Sequence, residues 1–152
     1  MNDFRMGVAR AIAVAIAVAL SACATSDRPP SHPNYAAAIA DLRIARTILD
    51  REPEYAVARS QYRAIEAIDR AVLELKDAAI EGGQPLGAAP TLDPTLDYGA
   101  RLSRARELIV GADHELNFKE DDSHARPSRD NARHYVEEAR EAVDRTIRER
   151  QG

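Results

Sequence analysis

From Ala38 onward apolar residues recur every three or four positions, the period of an amphipathic helix, and proline, glycine or a polar loop separates the runs. The first run predicts a helix over about 33–50. Its seam is Ala38, Leu42, Ala45 and Leu49, widened by Ile39, Ile44 and Ile48. Pro33 suits a first turn, where its missing N–H costs nothing. Glu52-Pro53 breaks the run, because the residue before proline disfavours the α conformation. The second and longest helix, over about 53–81, carries Ala58, Tyr62, Ile65, Ile68, Val72, Leu75 and Ala79 and ends at Gly82-Gly83. Residues 82–93, rich in Gly, Pro and Ala, form the one long connector. Asp93-Pro94 then offers a cap and first position for a third helix over about 94–117, with Tyr98, Leu102, Ala105, Ile109, Ala112 and Leu116 inward. Gly111 is a weakness in its middle. After a polar loop over 117–127, a fourth helix over about 128–149 uses Ala132, Val136, Ala139, Val143 and Thr146 or Ile147. It has the fewest large aliphatics and should fray first.

Four helices, short loops within each hairpin and a longer connector between them predict an all-α fold, an up-down-up-down four-helix bundle over residues 34–150. The breakers at Pro53, Gly82-Gly83 and Pro127 argue against one long coiled-coil hairpin. Alanine fills about half of the seams, so the helices should pack near the lower end of the usual ~8–10 Å spacing. Tyr35, Ile39, Arg43 and Asp50 recur 63 residues later as Tyr98, Leu102, Arg106 and Asp113. That echo is either chance or the mark of a duplicated helical hairpin.

The segment before the helices has a different pattern. Arg5 and Arg10 precede an unbroken apolar stretch over 11–20, followed by small residues, which is the layout of a secretory signal peptide. The stretch is about half of what a bilayer crossing requires. Leu20-Ser21-Ala22-Cys23 resembles the lipobox of bacterial lipoproteins and contains the only cysteine. The resemblance implies that residues 1–22 are removed and that Cys23 is lipidated. Residues 23–33, interrupted by Pro29-Pro30, would then be a flexible tether reaching about 35 Å from the membrane. Ala24 rather than aspartate follows the cysteine, so the resemblance implies the periplasmic face of the outer membrane.

Removing the leader leaves 130 residues, enough for one domain, with 19 basic against 24 acidic side chains. An acidic balance gives no general pull toward nucleic acid. Nearly all the cations are arginine, interspersed with acids, which reads as solvated faces laced with weak ion pairs.

The sequence has no Gly-rich phosphate loop, nucleophile elbow, His-Glu-x-x-His or paired Glu-x-x-His, so a non-enzymatic module is expected. Glu66, beside the second seam, reads as a flank ion pair. The remaining candidates lie around the loop of the second hairpin. His114, His124 and His134, with Asp121 and Asp122, would share one tip, to which up-down topology also brings Asp50, Glu52 and Glu54. Imidazoles and carboxylates there suit Cu²⁺, Ni²⁺ or Zn²⁺; the alternative is a charged, solubilising cap.

Four further stretches bear on this choice. They are His32-Pro33-x-Tyr35, Asp41-Leu42-Arg43-x-Ala45-Arg46, Ile65-x-x-Ile68-Asp69-x-Ala71 and Lys76-x-Ala78-Ala79-Ile80-x-Gly82. Together they resemble exported bacterial helical proteins similar to the small metal-binding protein family, periplasmic four-helix bundles rich in exposed histidine. The resemblance implies the bundle and metal buffering. This chain has four histidines instead of a dense ladder, which weakens the metal implication. The sequence therefore favours a lipid-anchored interaction or structural module with an envelope protein partner, with weak metal binding as the alternative.

Overall fold

The computed structural model of the protein describes residues 33–51, 53–84 and 96–152, and every regular element among them is helical. The leader, Cys23, His32, Glu52 and the Asp93-Pro94 pair lie outside these residues. The four helices are α1 (Tyr35–Leu49), α2 (Ala58–Glu81), α3 (Tyr98–Leu116) and α4 (Ala125–Gln151).

Each boundary has a local cause. The Asn34 side chain accepts the Ala37 N–H at 3.1 Å and starts α1, so Pro33 precedes the cap instead of occupying the first turn. Between Pro53 and α2 the chain makes a single 3-10 turn over Tyr55–Val57. Val57, at the cap of α2, has no side-chain acceptor to offer, and regular helix begins five residues later than the sequence predicts. Gly83, at φ 65, closes α2. Gly83 N–H donates to Ile80 O and Gln84 N–H to Ala79 O, the paired bonds of a Schellman motif. Asp97 caps α3 by accepting the Ala100 N–H at 2.9 Å. Helix α4 begins at Ala125, before the predicted start. Pro127 does not break it, because it sits in the first turn, where no intrahelical N–H bond is lost.

The order of the helices corrects the expected up-down-up-down bundle. The Asn34 N–H donates to Glu115 O at the end of α3, and Gln84 Nε2 donates to Pro33 O at 3.0 Å, so α1 starts where α2 and α3 stop. At the other end Tyr98, opening α3, donates to Gln61 near the start of α2, and Ser60 pairs with Glu149 near the end of α4. Helices α1 and α4 therefore run one way and α2 and α3 the other. Around the ring the neighbours are α1, α2, α4 and α3, with no close backbone approach across either diagonal among the described residues. The short-loop rule governs each hairpin but not the passage between them. The fifteen steps from Gly82 to Asp97 can span about 50 Å, more than the ~29 Å length of α3.

The two hairpins meet α1 on α3 and α2 on α4, as an approximate twofold axis across the bundle would place them. The echoed tyrosines sit in matching positions. Tyr35 of the first hairpin donates to Glu120 of the second, and Tyr98 of the second donates to Gln61 of the first.

The core centres on Ile39, Leu42, Leu49, Ile68, Leu75, Leu102, Ile109 and Leu116, each contributing about 1.5–3 kcal/mol on burial. Helix α4 buries only Ala, Val and Thr, yet its contact with α2 is the most extensive in the bundle. Small side chains let the two backbones approach. Gly111 leaves room for a side chain of α1: a Cβ there would come 2.9 Å from Asp41 Oδ2, and the Asp41 carboxylate would have to shift. One seam residue is misplaced. Tyr62 is 58% exposed, and Gln61 takes the inward position. Gln61 is buried because its amide donates to Leu49 O and Arg51 O, closing the end of α1, while its oxygen accepts from Tyr98.

Candidate functional site

The histidine end of the bundle is built by the α3–α4 junction. His114, in the last turn of α3, is exposed and packs edge-on against Phe118. His124 is exposed at the start of α4, where its N–H donates to Asp122 Oδ1 at 2.8 Å. His134 lies further along α4, 3.4 Å from Glu138 and tilted against Tyr135. Asp121 pairs with Lys119 at 2.6 Å. Among the described residues, no three His, Cys, Asp or Glu side chains gather closely enough to hold a metal ion. The turn of the first hairpin does not join them. Asp50 pairs with Arg46 and Glu54 with Arg150, both at the opposite end.

Beneath this surface lies a buried polar lock. Tyr35 is fully buried and its hydroxyl donates to Glu120, which is itself 6% exposed and accepts the Asp122 N–H at 2.8 Å. Burial, and then the bond to Glu120, hold the Tyr35 phenol well above its ordinary range. Arg129 donates to Leu116 O and Phe118 O, and Arg133 to Asn117 Oδ1. These guanidiniums satisfy oxygens left over at the end of α3.

The other end is arranged differently. Arg59 and Arg63 on α2 and Arg145 on α4 line a cleft of about 200 Å³, with Ser60 and Glu149 at its edge. Arg63 and Arg145 also line an adjoining cleft of about 300 Å³, where Ala67 and Ala142 leave the groove between the helices unfilled. Its acids are partly engaged: Glu66 pairs with Arg70 at 2.6 Å, as a flank ion pair should, and Glu138 with His134. Sequence patterning hides these arginines, because it treats every basic residue as part of a paired face. The spacing of Arg59 and Arg63, four apart with like charge, is the signal that marks them.

A third feature runs along the outside of α2. Tyr62, Leu73 and Ile80 are exposed and separated by eleven and seven residues, so they fall on one line of the helix. Among the described residues no helix is long and apolar enough to cross a membrane. No family model, characterised protein or solved structure matches the chain.

Proposed function

We propose that the chain is an exported bacterial lipoprotein, anchored through lipidated Cys23 to the periplasmic face of the outer membrane, whose helical domain is a non-enzymatic interaction module. The anchor is supported by the Leu20-Ser21-Ala22-Cys23 sequence after a cationic and apolar leader. The interaction reading rests on one observation, the exposed line of Tyr62, Leu73 and Ile80 on α2. Large apolar side chains aligned on one helix face suit docking against an envelope protein partner. Divalent-metal buffering by His114, His124, His134, Asp121 and Asp122 has weaker support, because these groups engage separate neighbours.

Two experiments test the two halves of the proposal. Cys23→Ser should release the chain from membranes into a carbonate wash, since stable anchoring requires more than one acyl chain. Retention of the variant, or co-fractionation of the parent with inner-membrane markers, contradicts the anchor. A photo-crosslinker at Leu73 in cells should give a discrete adduct that Tyr62→Glu and Ile80→Glu abolish. An adduct pattern unchanged by those substitutions contradicts the docking face.

A further inference from the structure

Most arginines of the described residues touch an acid, an aromatic ring or a backbone oxygen. Arg59, Arg63, Arg145 and Arg148 do not. All four stand at the same end of the bundle, on α2 and α4, and three of them line one cleft. A solvated arginine without a partner is ordinary. Three converging on a cleft, in a chain with more acids than bases, is an arrangement with a cost. Arg59 and Arg63 are four apart on one helix and repel each other, and Arg145 faces them from the neighbouring helix.

We propose that Arg59, Arg63 and Arg145 form a binding site for a phosphate group, a role beyond the docking face and independent of the lipid anchor. Each guanidinium carries five N–H donors in a planar fork. A single carboxylate engages one fork bidentately and leaves the others unused. A phosphate has enough oxygens to accept from three guanidiniums at once. Glu149, which accepts from Ser60 at 2.7 Å, is the one acid in the lining against three arginines, so the cleft keeps an excess of positive charge. The adjoining cleft limits the ligand's size, because an extended polyanion would meet Glu66, Glu138 and Glu141. A compact phosphate compound fits between these limits, and so does a phosphate monoester headgroup at a lipid surface.

The test compares the full chain with its Arg63→Gln/Arg145→Gln variant, both at low ionic strength, where exposed charges are least screened. All three arginines are solvent-exposed, so the variant should keep its helical circular dichroism. Arg59→Gln is the second variant should the double one lose structure. In the first arm, calorimetric titration with inorganic phosphate should show saturable binding that weakens about 10-fold or more in either variant, the equivalent of one charge-assisted hydrogen bond. Arg104→Gln, with the same change in net charge as Arg59→Gln but on another face, should bind like the parent, and acetate should bind more weakly than phosphate. In the second arm, vesicles of phosphatidylcholine with or without phosphatidic acid are sedimented with each chain. All chains share residues 1–32, so only the arginines differ. A difference in the first arm alone assigns the site to a free phosphate compound. A difference in both extends it to a lipid headgroup, and a difference with vesicles alone restricts it to that headgroup. Equal behaviour of parent and variants in both arms overturns the proposal.

Discussion

At the end of the bundle where α1 begins, most polar groups are used by one another, and only the Nε atoms of Arg129 and Arg133 are buried among the described residues without a hydrogen-bond acceptor. Tyr35 donates to Glu120, Asp122 caps toward His124, Lys119 pairs with Asp121, and Arg129 and Arg133 close α3. At the end where α1 stops, Arg150 and Glu54 pair, but Arg59, Arg63, Arg145 and Arg148 reach water without an acid. By residue type the first end resembles a site, with its histidines and carboxylates. By geometry its groups hold the chain together, and the second end has side chains to spare. The difference teaches that candidate ligands are better judged by whether their hydrogen-bonding capacity is already used than by their identity.

The frame of this comparison can be broken first. Leu102 and Ile109 are buried between the hairpins, so Leu102→Ala and Ile109→Ala should each cost about 2–5 kcal/mol in urea melts. Arg104→Ala, exposed and paired only with Glu107, should change stability by less than about 0.5 kcal/mol. Equal effects would mean that α3 is turned the wrong way.

Tyr35→Phe sharpens the contrast from the occupied end. It strips the buried Glu120 of its phenolic donor and should cost about 1–3 kcal/mol. At the open end, Arg63→Gln should stabilise the chain in dilute buffer by about 0.2–0.5 kcal/mol, because it removes a like-charge neighbour of Arg59. Arg46→Gln, which loses Asp50 and Asp69 together, should do the reverse. A loss of stability in Arg63→Gln would show that the arginine has a structural partner.

The smallest effect concerns Asp41, held beside Gly111. Burial raises its carboxyl above the ordinary value, with Arg104 opposing the shift. The folded state therefore binds the Asp41 proton more tightly than the unfolded state. Its contribution is fully favourable below the unfolded value and is lost as pH rises through the folded one. Asp41→Asn should make the chain slightly more stable at neutral pH, and the gain should vanish toward acid. A gain that persists unchanged in acid would contradict the burial cause.

The helices themselves were legible because alanine and aliphatic spacing encodes a buried face, and Gly82-Gly83 encodes its end. Their order was not. Up-down-up-down and the observed ring share the same seams and hairpin loops, and only contacts such as Asn34 with Glu115 and Tyr98 with Gln61 separate them. Tyr62 misleads because the pattern counts apolar residues, while Gln61 wins the inward place by closing α1 and meeting Tyr98. The metal reading rested on residues near in sequence, and helix geometry turns His114, His124 and His134 toward different neighbours. Arg63 and Arg145 lie far apart in the chain, so only the antiparallel packing of α2 on α4 brings them together.

The most direct measurement of the central claim is the urea midpoint of the full chain in phosphate against chloride at matched ionic strength. A ligand that binds only the folded state stabilises by about 1.4 kcal/mol at roughly ten times its dissociation constant. Phosphate, which favours every folded state by exclusion from its surface, should raise the midpoint of the parent further than that of Arg63→Gln/Arg145→Gln. An equal rise in both chains, or none in either, would contradict the claim that these arginines are held open for a phosphate.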